Sequence, residues 1–101
     1  MSCEIVWEFR LATASAAGFE QAYGPGGAWA QLFRQAPGFI ETSLLRDAEI
    51  DGRYLTVDRW DSREAFDNFK RRFANEYSAL DTKLEGLASS ERRLGAFDTL
   101  G

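Results

Sequence analysis

The chain has 101 residues, 45% of them hydrophobic and 14% aromatic, so it can form one packed core and is not intrinsically disordered. Acidic side chains outnumber basic ones by 16 to 12, and the net charge of −4 argues against nucleic acid as a partner. The sequence contains no His, the commonest general base and metal ligand, and the single Cys3 can form no intramolecular disulfide. Residues 1–101 are predicted to form a single domain without a metal site.

The amino-terminal segment carries no targeting signal that we can identify. Met1 to Glu4 lacks the basic and apolar regions of a secretory signal, and no apolar run approaches the roughly 18 residues of a membrane span. The expectation from the sequence is a cytoplasmic protein without a membrane partner.

A strand and an interrupted helix are predicted first. Apolar and polar side chains alternate from Ile5 to Leu11, which indicates a strand with one buried face. Thr13-Ala14-Ser15 then offers hydroxyls that could cap a helix. The run Gly24-Pro25-Gly26-Gly27 breaks any α-helix, and helical spacing resumes from Trp29 to Phe33. One broken helix or two short helices are therefore expected.

A β-hairpin follows. Pro37-Gly38 ends the preceding helix, and Phe39 to Arg46 is typical of a strand. Asp51-Gly52 is a strong turn signal, and Arg53 to Trp60 has the composition of the returning strand. These two strands are expected to pair antiparallel.

A long second helix is the clearest feature of the sequence. Asp61 can cap it, with Glu64 three residues later, and Gly86 is expected to end it after a kink around Asn75. Glu91 to Thr99 is predicted to be a last strand. Steps of three and four residues place one apolar stripe along the helix, formed by Phe66, Phe69, Phe73, Tyr77, Leu80, Leu84 and Leu87.

The order of these elements predicts an α+β fold. Strand, broken helix, strand, strand, helix, strand is the ferredoxin-like βαββαβ arrangement, an antiparallel sheet with both helices on one face. Strand alternation leaves some apolar side chains on the other face, where a second copy of the chain could cover them. Charged residues expected there, Glu8, Arg10 and Glu41, would form ion pairs at the dimer interface; the alternative is a paired-carboxylate acid–base site.

Two motifs resemble those of the antibiotic biosynthesis monooxygenase domains. One is the Pro-Gly-aromatic turn in Gln35-Ala36-Pro37-Gly38-Phe39-Ile40, and the other is the strand-to-helix junction within Tyr54 to Phe66, which contains Trp60-Asp61-Ser62. The stretch from Phe19 to Trp29 is similar to a subset of these proteins. The resemblance covers nearly the whole chain and implies a homodimeric α/β barrel with a pocket in each subunit between the sheet and its helices.

The family includes cofactor-free oxygenases that convert anthrones or phenols to quinones, and haem-degrading enzymes. Trp60 matches a Trp used in both branches. Where the anthrone-oxidising branch carries an Asn and a Tyr, this chain has Thr56 and Phe66. The haem-degrading branch needs an Asn where Phe9 stands and a His that is absent, so the resemblance argues against haem degradation.

The implied oxygenase chemistry requires no cofactor, because a deprotonated phenol or anthrone reacts with O2 directly. Trp60, Tyr77 and Thr56 are the predicted catalytic residues. Tyr23 is a further candidate hydroxyl donor, and Arg10, Arg59 or Arg93 could stabilise an anion where they face the pocket. A hydrophobic aromatic substrate is expected to contact Trp7, Phe9, Trp29, Phe33, Tyr54, Phe66, Phe69 and Phe73.

Three functions stay open at this stage. The first is a cofactor-independent monooxygenase acting on an aromatic or polyketide-like small molecule. The second is a non-catalytic dimer that binds a small molecule or serves as a scaffold. The third is a polyketide cyclase or isomerase. Trp29 and Trp60 also have a purely structural interpretation, since large rings at these positions pack well in a core.

Overall fold

The computed structural model describes residues 2–101, which contain four strands in one antiparallel sheet. The strands are β1 (Cys3–Arg10), β2 (Phe39–Arg46), β3 (Arg53–Trp60) and β4 (Ser90–Asp98), and their order in the sheet is β2-β3-β1-β4. β1 pairs with β3 along one side and with β4 along the other, and a bulge between Val6 and Trp7 shifts the register with β4. The predicted ferredoxin-like α+β fold is confirmed.

The interrupted first helix is also confirmed, as α1 (Ala16–Tyr23) and α2 (Ala28–Phe33). The capping prediction before it is wrong, because Thr13–Ser15 forms a 3-10 turn and the Ser15 side chain makes no capping hydrogen bond. Ser15 already has helical dihedral angles there, whereas a side-chain cap needs an extended residue.

The second helix is two helices, α3 (Arg63–Arg72) and α4 (Ala74–Lys83). Phe73, with φ −109° and ψ 26°, interrupts them two residues before the kink predicted at Asn75. The Phe73 ring stacks on Phe69 with centroids 5.5 Å apart, so the apolar stripe continues through the break. α4 ends three residues before Gly86, which was predicted to terminate it.

Ser62, rather than the predicted Asp61, caps α3. The Ser62 backbone is extended and its hydroxyl oxygen accepts a hydrogen bond of 3.1 Å from the Ala65 backbone N–H. That oxygen satisfies one of the amide groups that the first helical turn leaves without an intrahelical partner. Glu64 lies in the first turn, where a negative charge complements the helix dipole.

The core lies between the sheet and the helices and is dominated by aromatic rings. Trp60, Phe19 and Phe69 have exposed fractions of 0%, 0% and 1%. Phe33 of α2 makes edge contacts with both Trp60 and Phe69, with centroids 5.7 Å and 5.2 Å apart. Contacts of this kind hold the helical layer in a fixed position over β3.

The face of the sheet that points away from the helices, here called the outer face, carries ion pairs within one chain. Arg53 Nε lies 2.6 Å from Glu8 Oε2, and Arg59 Nη2 lies 3.1 Å from Glu4 Oε1. Glu41, predicted to pair across a dimer interface, has a partner in its own chain, since its Oε1 lies 3.5 Å from Arg59 Nη1. Apolar side chains stand between these pairs on the same face: Val6, Leu45, Leu55, Val57 and Phe97.

Candidate functional site

Alternation along β3 points every second side chain at the helices. The register places Trp7 of β1 opposite Thr56, and Phe9 opposite Tyr54, so all four side chains lie on this side of the sheet. The β3 residues on this side are buried: Tyr54, Thr56, Asp58 and Trp60.

A cavity of about 50 Å³ lies between this part of the sheet and the helices, and we call it the inner cavity. Polar groups also reach it, from Tyr23, Asp58, Asp81 and Glu91. Six of the residues predicted from the sequence to form the site line it together: Trp7, Phe9, Trp29, Phe33, Thr56 and Tyr77.

A larger space of about 310 Å³, the outer cleft, adjoins the inner cavity. Four residues line both spaces, namely Trp7, Phe33, Asp58 and Tyr77. The outer cleft adds Phe66, which was predicted to contact substrate, and cationic groups at its rim: Arg63, Lys70 and Arg93. The inner cavity and the outer cleft therefore meet at these four residues.

Asp58 is the buried acidic group of this site, with an exposed fraction of 8%. The Thr42 hydroxyl of β2 donates a hydrogen bond of 2.8 Å to Asp58 Oδ1. Burial raises the pKa of Asp58 to about 6, although the hydrogen bond from Thr42 acts in the opposite direction. A carboxyl whose pKa lies this close to neutrality, beside a cavity, is typical of a functional site.

Tyr77 is held in its neutral form. Burial, reinforced by the charge of Asp81, raises the pKa of Tyr77 to about 12. The ammonium group of Lys70 lies 3.7 Å from the centroid of the Tyr77 ring, a cation–π contact. Burial and then the neighbouring Arg93 lower the pKa of Lys70. Tyr77 thus keeps a hydroxyl proton that it can donate to a ligand.

Two indole N–H groups are further hydrogen-bond donors in this region, one beside the inner cavity and one farther from it. The Nε1 atoms of Trp29 and Trp60 are both buried and have no hydrogen-bond partner of good geometry within residues 2–101. Burial raises the pKa of Tyr23, and the nearby Trp29 N–H acts on that pKa in the opposite direction. A buried donor without a partner costs about 1–3 kcal/mol. Trp29 lines the inner cavity, where a ligand oxygen could accept this hydrogen bond, whereas Trp60 lies behind Phe33.

The remaining predicted residues lie outside these two spaces. The Tyr54 hydroxyl donates a hydrogen bond to the Glu20 carboxylate, and its ring packs on Phe19. Phe69 and Phe73 border a surface groove of about 560 Å³ between the Pro37-Gly38 turn and α3.

Of the arginines considered as anion-stabilising groups, Arg93 reaches the outer cleft, whereas Arg59 pairs with Glu4 on the outer face. Arg10 is exposed at the end of β1.

Sequence reasoning missed the three acidic residues of the site, Asp58, Asp81 and Glu91. A signal for Asp58 was present, because it stands two residues before Trp60 and a strand places such residues on the same face. Within the described residues 2–101, no group of three or more Cys, Asp or Glu side chains could hold a metal ion. In the same range, no helix is long and apolar enough to cross a membrane.

Comparison with known proteins places this architecture in a family. The model of the antibiotic biosynthesis monooxygenase family matches residues 5–74. That segment includes most of β1, the broken helix, the hairpin and α3, and therefore most of the residues of the inner cavity. No curated protein matches the sequence significantly.

Solved structures with the same fold include SnoaB from Streptomyces nogalater, described as a cofactor-independent oxygenase. A SnoaB variant aligns with a TM-score of 0.74 and 24% identity over 97% of this chain and 92% of its own. PA3566 from Pseudomonas aeruginosa aligns at 0.67 and 13% identity over 99% and 95% of the two chains. MhuD, in a variant with two manganese protoporphyrin IX molecules per active site, aligns at 0.68 and 21% identity over 99% and 95%.

Proposed function

Because the chain belongs to the antibiotic biosynthesis monooxygenase family, we propose that it is a cofactor-independent monooxygenase acting on an aromatic, polyketide-like small molecule. One observation carries the proposal: the rings of Trp7, Phe33 and Tyr77 meet the buried carboxyl of Asp58 where the inner cavity joins the outer cleft. Ligand pockets commonly combine apolar walls with a few convergent polar groups. The similarity to SnoaB, described as a cofactor-independent oxygenase, points in the same direction.

The two spaces suggest how such a substrate would bind. Ligand pockets usually span about 300–1,000 Å³, and the outer cleft, at about 310 Å³, is at the lower end of this range. The inner cavity, at about 50 Å³, has room for only a few atoms. We expect the fused rings to lie in the outer cleft and the reacting edge to enter the inner cavity.

The reaction balances without an external reductant. An anthrone-type CH2 carbon loses two hydrogens and gains one oxygen atom of O2 as a carbonyl, and the second oxygen atom leaves as water. The substrate supplies all the electrons, so the protein needs to bind it, take its proton, exclude water and stabilise the anion. The Tyr77 hydroxyl and the Trp29 N–H are the donors placed for that last task.

The other residues predicted from the sequence to form the site receive supporting roles. We assign Trp60 a positioning role, because its edge contact with Phe33 fixes one wall of the cavity. Thr56 lines the inner cavity and offers a hydroxyl to the substrate. Substrate contact by Tyr54, Phe69 and Phe73 stays a prediction from the sequence.

Haem chemistry of the His-dependent kind is not proposed, although MhuD shares the fold. The chain contains no His, and Phe9 occupies the strand position where the resemblance would require an Asn. The ring of Phe9 packs against Phe19 and Tyr23, with centroids 5.1 Å and 5.0 Å apart.

The test is oxygen uptake by the purified, metal-free protein with a panel of anthrones, naphthols and hydroquinones, together with product mass. We expect enzyme-dependent uptake, a product that has gained one oxygen atom, and a lower rate for Tyr77→Phe. Binding without uptake across the panel would favour the non-catalytic binding dimer. Product formation under strict anaerobiosis would favour a cyclase or isomerase.

We further propose that the chain forms a homodimer through the outer face. Phe97 and Leu45 of this face have exposed fractions of 51% and 49%, unusually high for large apolar side chains on a sheet. Charged residues of this face already pair within the chain, since Arg53 contacts both Glu8 and Asp47. A second copy could therefore cover this face without leaving those charges unpaired.

A further inference from the structure

Asp58 occupies a position that no other carboxyl group of the site shares. It lines both the inner cavity and the outer cleft, whereas Asp81 and Glu91 line the inner cavity and Asp67 the outer cleft. With 8% of its surface exposed, Asp58 is in contact with almost no bulk water. A molecule that extends from the cleft into the cavity would contact Asp58, because this residue lines both spaces.

Charged and titratable groups surround Asp58 from several elements. α3 contributes Arg63, Asp67 and Lys70, β4 contributes Arg93 and Glu91, α4 contributes Tyr77 and Asp81, and α1 contributes Tyr23. The three cations among these groups are engaged elsewhere or lie at the rim of the outer cleft. Arg63 Nε is 3.2 Å from Asp67 Oδ1, Lys70 lies over the Tyr77 ring, and Arg93 lies at the rim. Burial and the hydrogen bond from Thr42 of β2 are the influences that set the pKa of Asp58.

The fold itself has little use for an acid at this position. The hydrogen bond from Thr42 needs only an acceptor oxygen, which an Asn side chain would supply without the cost of burying a charge. Burial without a cationic partner keeps the proton affinity of the carboxyl high, and a general base works best when its pKa lies near the working pH. The residue present is therefore the one that a proton transfer requires.

We propose that Asp58 is the catalytic base that removes the proton from the substrate. The inference rests on the proposed function. Asp58 takes a proton from the acidic CH2 group, and the resulting carbanion adds O2 to form a carbon–oxygen bond and a peroxide anion. The peroxide takes the proton back from Asp58, and the hydroperoxide loses water as its O–O bond and the remaining C–H bond of that carbon break and the carbonyl forms. The carboxylate is regenerated in each cycle.

Deuterium exchange without oxygen tests the proton-transfer step alone. Anthrone is incubated with the full-length protein in anaerobic D2O buffer, and loss of its methylene proton signal is followed by NMR. We expect the wild type to accelerate this exchange over the no-enzyme rate and Asp58→Asn to lose at least 100-fold of that acceleration, in line with general base catalysis. Asp51→Asn, an exposed turn residue outside both spaces, is the matched control and should exchange like the wild type.

The pH dependence of the exchange rate is a second measurement. It would not change between the variants if Asp58 had a purely structural role. The wild-type exchange rate should rise with pH through a limb near pH 6, and Asp58→Asn should lack this limb. Thr42→Val removes the hydrogen bond that lowers the pKa of the carboxyl, so its limb should move to higher pH. This shift tests the inference even if Asp58→Asn folds poorly.

The outcomes separate the inference from the proposed function. Equal exchange by the wild type and a folded Asp58→Asn, or a limb that Thr42→Val leaves unmoved, overturns Asp58 as the base. If the wild type consumes oxygen under those circumstances, the proposed function still stands. Exchange that depends on Asp58 without any oxygen uptake would keep the base and remove the monooxygenase. A wild type that neither exchanges nor consumes oxygen removes both.

Discussion

The hydroxyl of Thr42 lies 2.8 Å from the Asp58 carboxylate and donates a hydrogen bond to it from the neighbouring strand. The two residues are Cα partners in the β2–β3 ladder, so their side chains share one face of the sheet. With an exposed fraction of 7%, Thr42 is itself a buried polar residue. The pair is a buried polar contact beside the aromatic core, and protonation of Asp58 should affect stability.

Stability should therefore depend on pH through Asp58. The folded-state pKa, about 6, lies above the ordinary value of 3.8, so the folded protein binds this proton more tightly than the unfolded chain does. The carboxyl destabilises the fold progressively as pH rises from about 4 to 6, by about 3 kcal/mol in total. Asp58→Asn should gain most of this amount relative to the wild type between pH 4 and pH 7, measured by chemical denaturation.

Other carboxyls change the stability with pH in the opposite direction. The prediction is therefore stated as the difference in the free energy of unfolding between Asp58→Asn and the wild type. A hydrogen bond from Arg53 lowers the pKa of Glu8, so acidification costs the stability that this carboxylate provides. Glu8 is present in both proteins, and its contribution cancels. Asp51→Asn, in the exposed β2–β3 turn, removes one carboxylate away from the site and is the matched control. A flat difference for Asp58→Asn would mean that its pKa is ordinary.

Gly38 should be intolerant of a side chain. Its φ of +90° lies in the left-handed region, and an added Cβ would come within 2.6 Å of Ala65 Cβ and 2.8 Å of Asp61 Oδ1. We expect Gly38→Ala to lower the free energy of unfolding by about 1–3 kcal/mol. Gly26→Ala is the matched control, because nothing lies within 4 Å of its added Cβ. If both variants were equally stable, the turn at Gly38 would not be strained by substitution.

The cap of α3 can be tested with a pair of serines. Ser62 accepts a hydrogen bond from the Ala65 backbone N–H, so Ser62→Ala should cost about 1 kcal/mol. Ser15 also stands at the start of a helix but makes no capping hydrogen bond, and Ser15→Ala should stay within about 0.5 kcal/mol of the wild type. Thermal unfolding of the two variants measures the difference. Equal losses would contradict the assignment of the cap.

This cap shows where sequence reasoning reached its limit. Asp61 and Ser62 are both good capping residues, and composition cannot decide between neighbours. The choice is made by Gly38, whose carbonyl accepts a hydrogen bond of 2.8 Å from the Asp61 backbone N–H and joins that residue to the turn. The exact position of the break at Phe73 could not be predicted either. The apolar stripe has the same spacing on both sides of Phe73 and so does not mark where the helix is interrupted.

The strands and the aromatic residues that line the inner cavity could be predicted from the sequence, whereas the buried carboxyl of Asp58 could not. Alternation along β1 correctly placed Ile5 and Phe9 in the core, and the aromatic residues predicted for the site include most of the inner cavity walls. Asp58 was passed over because an acidic residue is usually exposed. Its neighbours Thr56 and Trp60 indicated the buried face, but only the packed structure shows that the carboxyl has no cationic partner among the residues described.

Dimer formation through the outer face yields the final prediction. Val57 is the Cα partner of Val6 at the centre of that face, which apolar side chains and internally paired charges share. Val57→Glu would bring an unpaired charge into the proposed interface, at a cost of several kcal/mol. We expect light scattering after gel filtration to show a dimer for the wild type at micromolar concentration and a monomer for this variant.

The control for this variant carries the same change at an exposed apolar residue away from the face. Ile50 lies in the β2–β3 turn with an exposed fraction of 46%, and Ile50→Glu should remain dimeric. A wild type that is monomeric at micromolar concentration would contradict the dimer directly. A dimer that survives Val57→Glu would place the interface elsewhere, since the two arginines that β3 contributes to this face, Arg53 and Arg59, are already paired within the chain.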